Sequence, residues 1–232
     1  MVLLGRAVAY AQFAHRNMEK KVKINLTENQ KLFVKNMETK KAVFLEGPAG
    51  TGKTMLSCRH AIEKLQQDKI ERIMLIRPAV SILNEQHGFL PGDIDDKMAV
   101  WMEPMIDNLS IFESRARILR YVQNDKISLV PLGFIRGKTF DNAIVLADEM
   151  QNSTREQMLA LLTRIGENSQ LIATGDTLQT DMDSTIQNGM SDFIQKLRSS
   201  ENDYSDISVI KFTKDDIKRS DFVKQIYEIY GT

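Results

Sequence analysis

Gly47-Pro48-Ala49-Gly50-Thr51-Gly52-Lys53-Thr54 lies between an apolar run and a helical pattern, and its reading decides the fold. Small residues let successive backbone N–H groups turn inward around an anion. Lys53 brings positive charge to the outer phosphates, and Thr54 offers a hydroxyl to a magnesium ion. Ala42-Val43-Phe44-Leu45 reads as a buried parallel strand, and Leu56, Ala61 and Leu65 mark an amphipathic helix after the loop. That helix points its positive dipole end at the same anion. Strand, loop and helix in this order predict a nucleotide phosphate-binding loop in which Gly47, Pro48, Ala49, Gly50, Thr51, Gly52, Lys53 and Thr54 all contact the nucleotide.

Outward from the loop, further apolar runs end in polar groups. Ile73-Met74-Leu75-Ile76 runs into Arg77-Pro78, where proline closes the strand and Arg77 is a candidate contact for phosphate or nucleic acid. Ile127-Ser128-Leu129-Val130 leads into Gly133-Phe134-Ile135-Arg136-Gly137-Lys138-Thr139, an exposed, tightly turned loop whose Arg136 is either solvated or a phosphate contact. Ala143-Ile144-Val145-Leu146-Ala147 ends in Asp148-Glu149. Acid at the mouth of a buried strand is costly unless it serves a cation or water, so Asp148 is the expected magnesium ligand and Glu149 the residue that orients and deprotonates the attacking water. Leu171-Ile172-Ala173-Thr174 runs into Gly175-Asp176-Thr177-Leu178-Gln179, with Gln179 placed to sense the terminal phosphate. Ligands of open parallel sheets bind outside the carboxyl ends of their strands, where all these groups lie.

The remaining stretches are mainly structural. Thr27-Glu28-Asn29-Gln30 matches a capping box, with Phe33, Val34 and Met37 on the buried helix face; Gln30 has the alternative of reading an adenine edge. Ser153-Thr154-Arg155-Glu156 is a second capping box before Met158, Leu161, Leu162 and Ile165, with Gly166 closing that helix. Residues 79–92 are loop-like. A helix is expected over Lys97 to Leu109, with Met98, Trp101, Met102 and Met105 as core and Trp101 or Phe89 as alternative stacking platforms for a base. A last strand is expected from Ile207 to Phe212, and a last helix from Asp215 to Tyr230 with Arg219 facing solvent.

The bulk numbers set limits. At 232 residues the chain is long for one domain and short for two. Thirty-one basic side chains balance 31 acidic ones, so no global positive field advertises nucleic acid. The local exception is residues 16–41, where Arg16, Lys20, Lys21, Lys23, Lys31, Lys35, Lys40 and Lys41 face only Glu19, Glu28 and Glu38, either a solvated surface or a backbone contact. One cysteine, Cys58, excludes an internal disulfide or multi-cysteine zinc site, and the lone His87 is not read as a metal ligand. No secretory pattern or bilayer-length apolar run is evident, which points to a cytoplasmic protein with no membrane partner.

Taken together, the motifs resemble a known family. Asp148-Glu149-Met150-Gln151 and Gly175 to Gln179 are similar to the second and third motifs of superfamily-one helicases, with Gln30 in the place of their adenine-reading glutamine. With Arg77-Pro78-Ala79-Val80, Gly88-Phe89-Leu90-Pro91-Gly92-Asp93 and Phe134 to Thr139 added, the set resembles the PhoH-like family of phosphate-starvation-inducible ATPases, over Leu26 to Tyr230. The resemblance implies a three-layer α/β RecA-like P-loop fold with a mostly parallel sheet, in which residues 1–25 are an N-terminal extension and 26–232 a single ATPase domain. It implies ATP and Mg2+ as cofactors, hydrolysis to ADP and phosphate, and a link to RNA or single-stranded nucleic acid, with helicase activity left open. Some members carry a nuclease domain, and no ribonuclease activity is expected of this chain.

A single RecA-like domain lacks the second domain that normally supplies an arginine to the departing phosphate. A neighbouring subunit in a homo-oligomeric ring, such as a hexamer, is expected to supply it, with Arg219 the first candidate and Arg136 the second. Two other classes stay open: a nucleotide-gated binding or assembly module in which hydrolysis is incidental, and a small-molecule phosphotransferase, against which Glu149 argues.

Overall fold

The computed structural model describes residues 24–78, 103–176 and 188–218, with Phe222 and Ile229 beyond them. Six strands, β1 (Ala42–Glu46), β2 (Arg72–Arg77), β3 (Ile127–Pro131), β4 (Ala143–Ala147), β5 (Gln170–Gly175) and β6 (Ile207–Lys211), form one sheet in the order β3-β2-β4-β5-β1-β6. Every pairing is parallel, so all carboxyl ends lie along one edge.

The strands read as continuous apolar runs because both faces of the sheet are covered. On one face Val43, Leu45, Ile73, Leu75, Ile144, Leu146 and Ile172 pack with Phe33, Leu56, Ile62, Met105, Leu109 and Ile118. These come from α1 (Glu28–Thr39), α2 (Lys53–Gln66), α3 (103–110) and α4 (Arg115–Gln123). On the other face the alternate residues Phe44, Met74, Ile76, Val145 and Ala173 meet Met158 and Leu161 of α5 (Arg155–Leu162) and Met190 and Ile194 of α6 (Gly189–Ser199). The period-two alternation of each strand thus divides its side chains between two cores, giving the expected three layers. Cys58 is fully buried and packs as a small apolar core residue.

The local signals agree at some helix ends and differ at others. The Thr27 box forms as read, with Gln30 N donating to Thr27 Oγ1 at 3.2 Å and Thr27 N to Gln30 Oε1 at 2.9 Å. The second box is shifted by one residue. Thr154 is the N-cap and Gln157 its reciprocal partner, while the buried Ser153 turns its hydroxyl to Met150 O at 2.6 Å. The helix ends at Leu162, and Gly166 instead belongs to the following turn, where its N donates to Phe140 O. A Cβ there would stand 1.9 Å from Asp141 Oδ1, so close approach explains the glycine. The expected C-terminal helix does not begin at Asp215, because Lys214–Asp216 form a 3-10 turn and Ile217 is extended. Helix α4 has no counterpart in the sequence reading: Ile118 is its one fully buried residue. The expected loop 79–92, with Phe89 and His87, and the residues Met98, Trp101 and Met102 lie outside the described residues.

Candidate nucleotide site

The loop after β1 begins between the carboxyl ends of β5 and β6. Gly47 N donates to Gly175 O at 3.1 Å, and a Cβ on Gly47 would come within 2.7 Å of Phe212 Cβ, a spacing only glycine tolerates. Gly50 and Gly52 have φ of 80° and 82°, left-handed values that let the backbone coil into the N-terminus of α2, for which Gly52 is the N-cap. No side chain caps that helix end, so its N–H groups are left to an anion. Lys53 Nζ donates to Gly47 O and, at 2.9 Å, to Pro48 O. Burial pushes its pKa down, and nearby Asp176, Asp148 and Glu149 pull it back up.

Strand order brings the acids to this loop. Because β5 lies between β4 and β1, the hydroxyls of Thr174 and Thr54 both donate to Asp148 Oδ1, at 2.5 and 3.1 Å. Asp148 is buried, whereas Glu149 has a side chain 46% exposed. Glu149 adopts φ 58°, ψ 34°, a left-handed conformation that a non-glycine residue adopts at an energetic cost and that aims its carboxylate off the strand axis. Gln151 braces it, with Nε2 donating to Glu149 Oε2 at 2.7 Å while Oε1 accepts from Asp176 N at 3.0 Å. Arg77, from β2, reaches Glu149 Oε1 at 3.4 Å and Asp148 Oδ2 at 4.0 Å. Hydroxyl and carboxylate oxygens converging under a phosphate loop are a hard donor set that fits magnesium. Among the described residues there is no cluster of three or more His, Cys, Asp or Glu that could hold a metal ion.

On the other flank, Gln30 is buried and fully engaged. Its Nε2 donates to Thr51 O at 3.0 Å and to Asp216 O at 3.3 Å. Asp216 also accepts from Thr27 Oγ1, from Asn29 Nδ2 at 2.9 Å and from Thr213 N at 2.8 Å, and Lys218 N donates to Gly50 O at 3.3 Å. Thus the chain after β6 ties α1 to the phosphate loop through Gln30.

Arg136 lies in an exposed turn after β3, and Gln179 and Arg219 lie outside the described residues. Three groups take roles that the sequence did not assign them: Gln151, read only as part of a motif, braces Glu149; the Thr174 hydroxyl, a candidate for shaping the turn or reaching nucleic acid, donates to Asp148; and Asp216 anchors the Gln30 flank. Gln151 had one sequence signal, its position three residues after the strand-terminal aspartate; Asp216 had only its local spacing to Thr213, because the partners that bring it to the site, Thr27 and Asn29, are far away in the chain.

The model of the family described as PhoH-like protein matches residues 22–231. This chain belongs to the PhoH-like family. A PhoH-like protein of Bacillus subtilis is 36% identical over 204 residues, covering 88% of this chain and 62% of that relative. Protein PhoH of Escherichia coli is 35% identical over 207 residues, covering 88% and 57%. The chain spans about three fifths of the length of these curated relatives. Among solved structures, the Pif1 helicase of Candida albicans aligns at 15% identity with a TM-score of 0.43, over 89% of this chain and 44% of that one, a likeness too coarse for functional inference. With the parallel sheet and phosphate loop above, family membership establishes a P-loop NTPase fold. Among the described residues no helix is long and apolar enough to cross a membrane.

Proposed function

We propose that this chain is a magnesium-dependent ATPase that hydrolyses ATP to ADP and phosphate and couples turnover to RNA or another single-stranded nucleic acid. The observation that carries the reading is the meeting of Thr54, Thr174 and Asp148 beneath the phosphate loop, with Glu149 held beyond them by Gln151 and Arg77. Gly47 to Thr54 wrap the phosphates, and Lys53 exchanges the carbonyls of Gly47 and Pro48 for phosphate oxygens. Thr54 and Asp148 hold magnesium, which when bound offsets charge building on the phosphate oxygens. Glu149 takes the proton of the attacking water, a role worth about two to four decades in rate. Gln179 senses the terminal phosphate, and Gln30 sits at the adenine side, where it also fixes Thr51. Arg77 and Arg136 are the nucleic-acid contacts. A neighbouring subunit of a homo-oligomeric ring, cytoplasmic like its partner RNA, supplies Arg219 to the departing phosphate, Arg136 being the second candidate in place of its nucleic-acid role.

The test is ATP turnover without polymer, with single-stranded RNA and with single-stranded DNA. A large rise with one polymer supports the coupling, and turnover indifferent to all three contradicts it. One observation favours a second reading, a nucleotide-gated binding module: both Glu149 oxygens are already engaged, by Arg77 and Gln151. Glu149→Gln separates the two, because a switch keeps its biological activity with ATP trapped and a turnover-driven enzyme loses it.

A further inference from the structure

Beside the nucleotide site, the same sheet edge carries a second glycine-bounded loop. After β3 the chain makes a 3-10 turn, Leu132–Phe134, in which Leu132 and Ile135 are buried anchors. Phe134, between them, is 68% exposed. Arg136 and Lys138 follow, both exposed, around Gly137 with φ 76°. A Cβ on Gly133 or Gly137 would meet nothing within 4 Å, so the loop stands clear of its surroundings on both sides of Phe134 and Arg136. Neither Arg136 nor Lys138 is in an ion pair among the described residues. The nearby exposed Asp141 is occupied, accepting from Glu167 N at 2.8 Å.

An outward phenyl ring with two cations within four residues fits one ligand chemistry better than others. Protein interface cores are depleted in lysine, whereas a single-stranded polynucleotide offers a base face to the ring and phosphates to the cations. Position supports this. Pro131 pairs with Arg77 across β3 and β2, so the loop departs one strand away from the arginine that holds Glu149.

We infer that loop 132–139 is a stacking platform for a single-stranded polynucleotide, with one base on Phe134 and adjacent backbone phosphates on Arg136 and Lys138. This rests on the proposed link to single-stranded nucleic acid and names the surface that makes it. Binding of short labelled single-stranded RNA, single-stranded DNA and duplex oligonucleotides, followed by fluorescence anisotropy across a salt series, tests it. Phe134→Ala weakens single-strand binding about tenfold to a hundredfold, as loss of one stacked base does, and Phe134→Trp restores it. Arg136→Ala with Lys138→Ala lowers the slope of log affinity against log salt by about 1.4, from roughly 0.7 per phosphate on single strands. The RNA and DNA arms identify the sugar. Wild-type affinity in a correctly folded Phe134→Ala overturns the platform and leaves the nucleic-acid reading intact. Failure of the wild-type chain to bind either single strand overturns both.

Discussion

The phosphate loop 47–54 and the loop 132–139 leave the same edge of one sheet, and each combines two or more glycines, at least one at positive φ, with a basic side chain. They are built for opposite tasks. The first closes on itself: its lysine is folded onto loop carbonyls, Gly47 is pressed against Phe212, a long helix starts inside it, and Gln30 ties it to α1. The second opens outward, with no contact above its glycines, an exposed ring and cations turned to solvent. Glycine content alone therefore does not identify a phosphate cradle. The helix N-terminus behind it and the acids opposite it do, because they fix where an anion and its metal lie.

Four substitutions sharpen or break this contrast. Glu149→Gln should lower ATP turnover by about two to four decades while nucleotide affinity persists, read by phosphate release beside equilibrium binding. Lys53→Ala should lower turnover by about two to three decades and weaken nucleotide binding too; retained affinity would mean the lysine is only a brace for the loop carbonyls. Gly47→Ala should cost about 1–3 kcal/mol in denaturant unfolding, since the new methyl meets the backbone and Cβ of Phe212. Gly137→Ala, strained only through its φ, should cost about 1 kcal/mol. Equal costs would dissolve the distinction between a packed and an open loop.

The smallest effect lies away from both loops and separates the acid response of the fold from that of the site. His60 is buried against Gln170, whose amide is fixed by donating to Met37 O at 2.6 Å and Lys40 O at 2.7 Å. Burial lowers the His60 pKa, with Glu38 and Gln170 opposing and Lys64 adding to the fall. The folded chain thus favours neutral imidazole. Its contribution to stability is complete above the ordinary value near 6.5 and is lost as pH falls through the depressed folded pKa. His60→Gln should flatten the stability profile below that value, where one proton accounts for at most about 1.4 kcal/mol per pH unit.

Strand placement was almost fully legible, because a strand buried on both faces must be apolar throughout, and β4 matches its expected range residue for residue. Less legible were features decided by distant partners. α4 does carry a helical period, with Ile118, Tyr121 and Val122 packed on the core at i, i+3 and i+4, but over a short stretch between charged residues it escaped the sequence reading; the position of the second capping box depends on Ser153 being drawn inward by Met150. The acids Asp148 and Glu149 stood out as unsatisfied charge at a strand end. The left-handed turn that divides their directions did not, since nothing in Glu149 itself favours positive φ. Gln30 allowed two readings, and the geometry adds a third role, a strut from α1 to Thr51.

A crystal structure with magnesium and a non-hydrolysable ATP analogue tests the central claim most directly. It should show the outer phosphates against the backbone of Gly50 to Thr54, Lys53 Nζ turned from Gly47 and Pro48 to phosphate oxygen, and the metal shared by Thr54 and Asp148. An analogue bound elsewhere, with Lys53 still on its loop carbonyls and Asp148 on its two threonines, would contradict it.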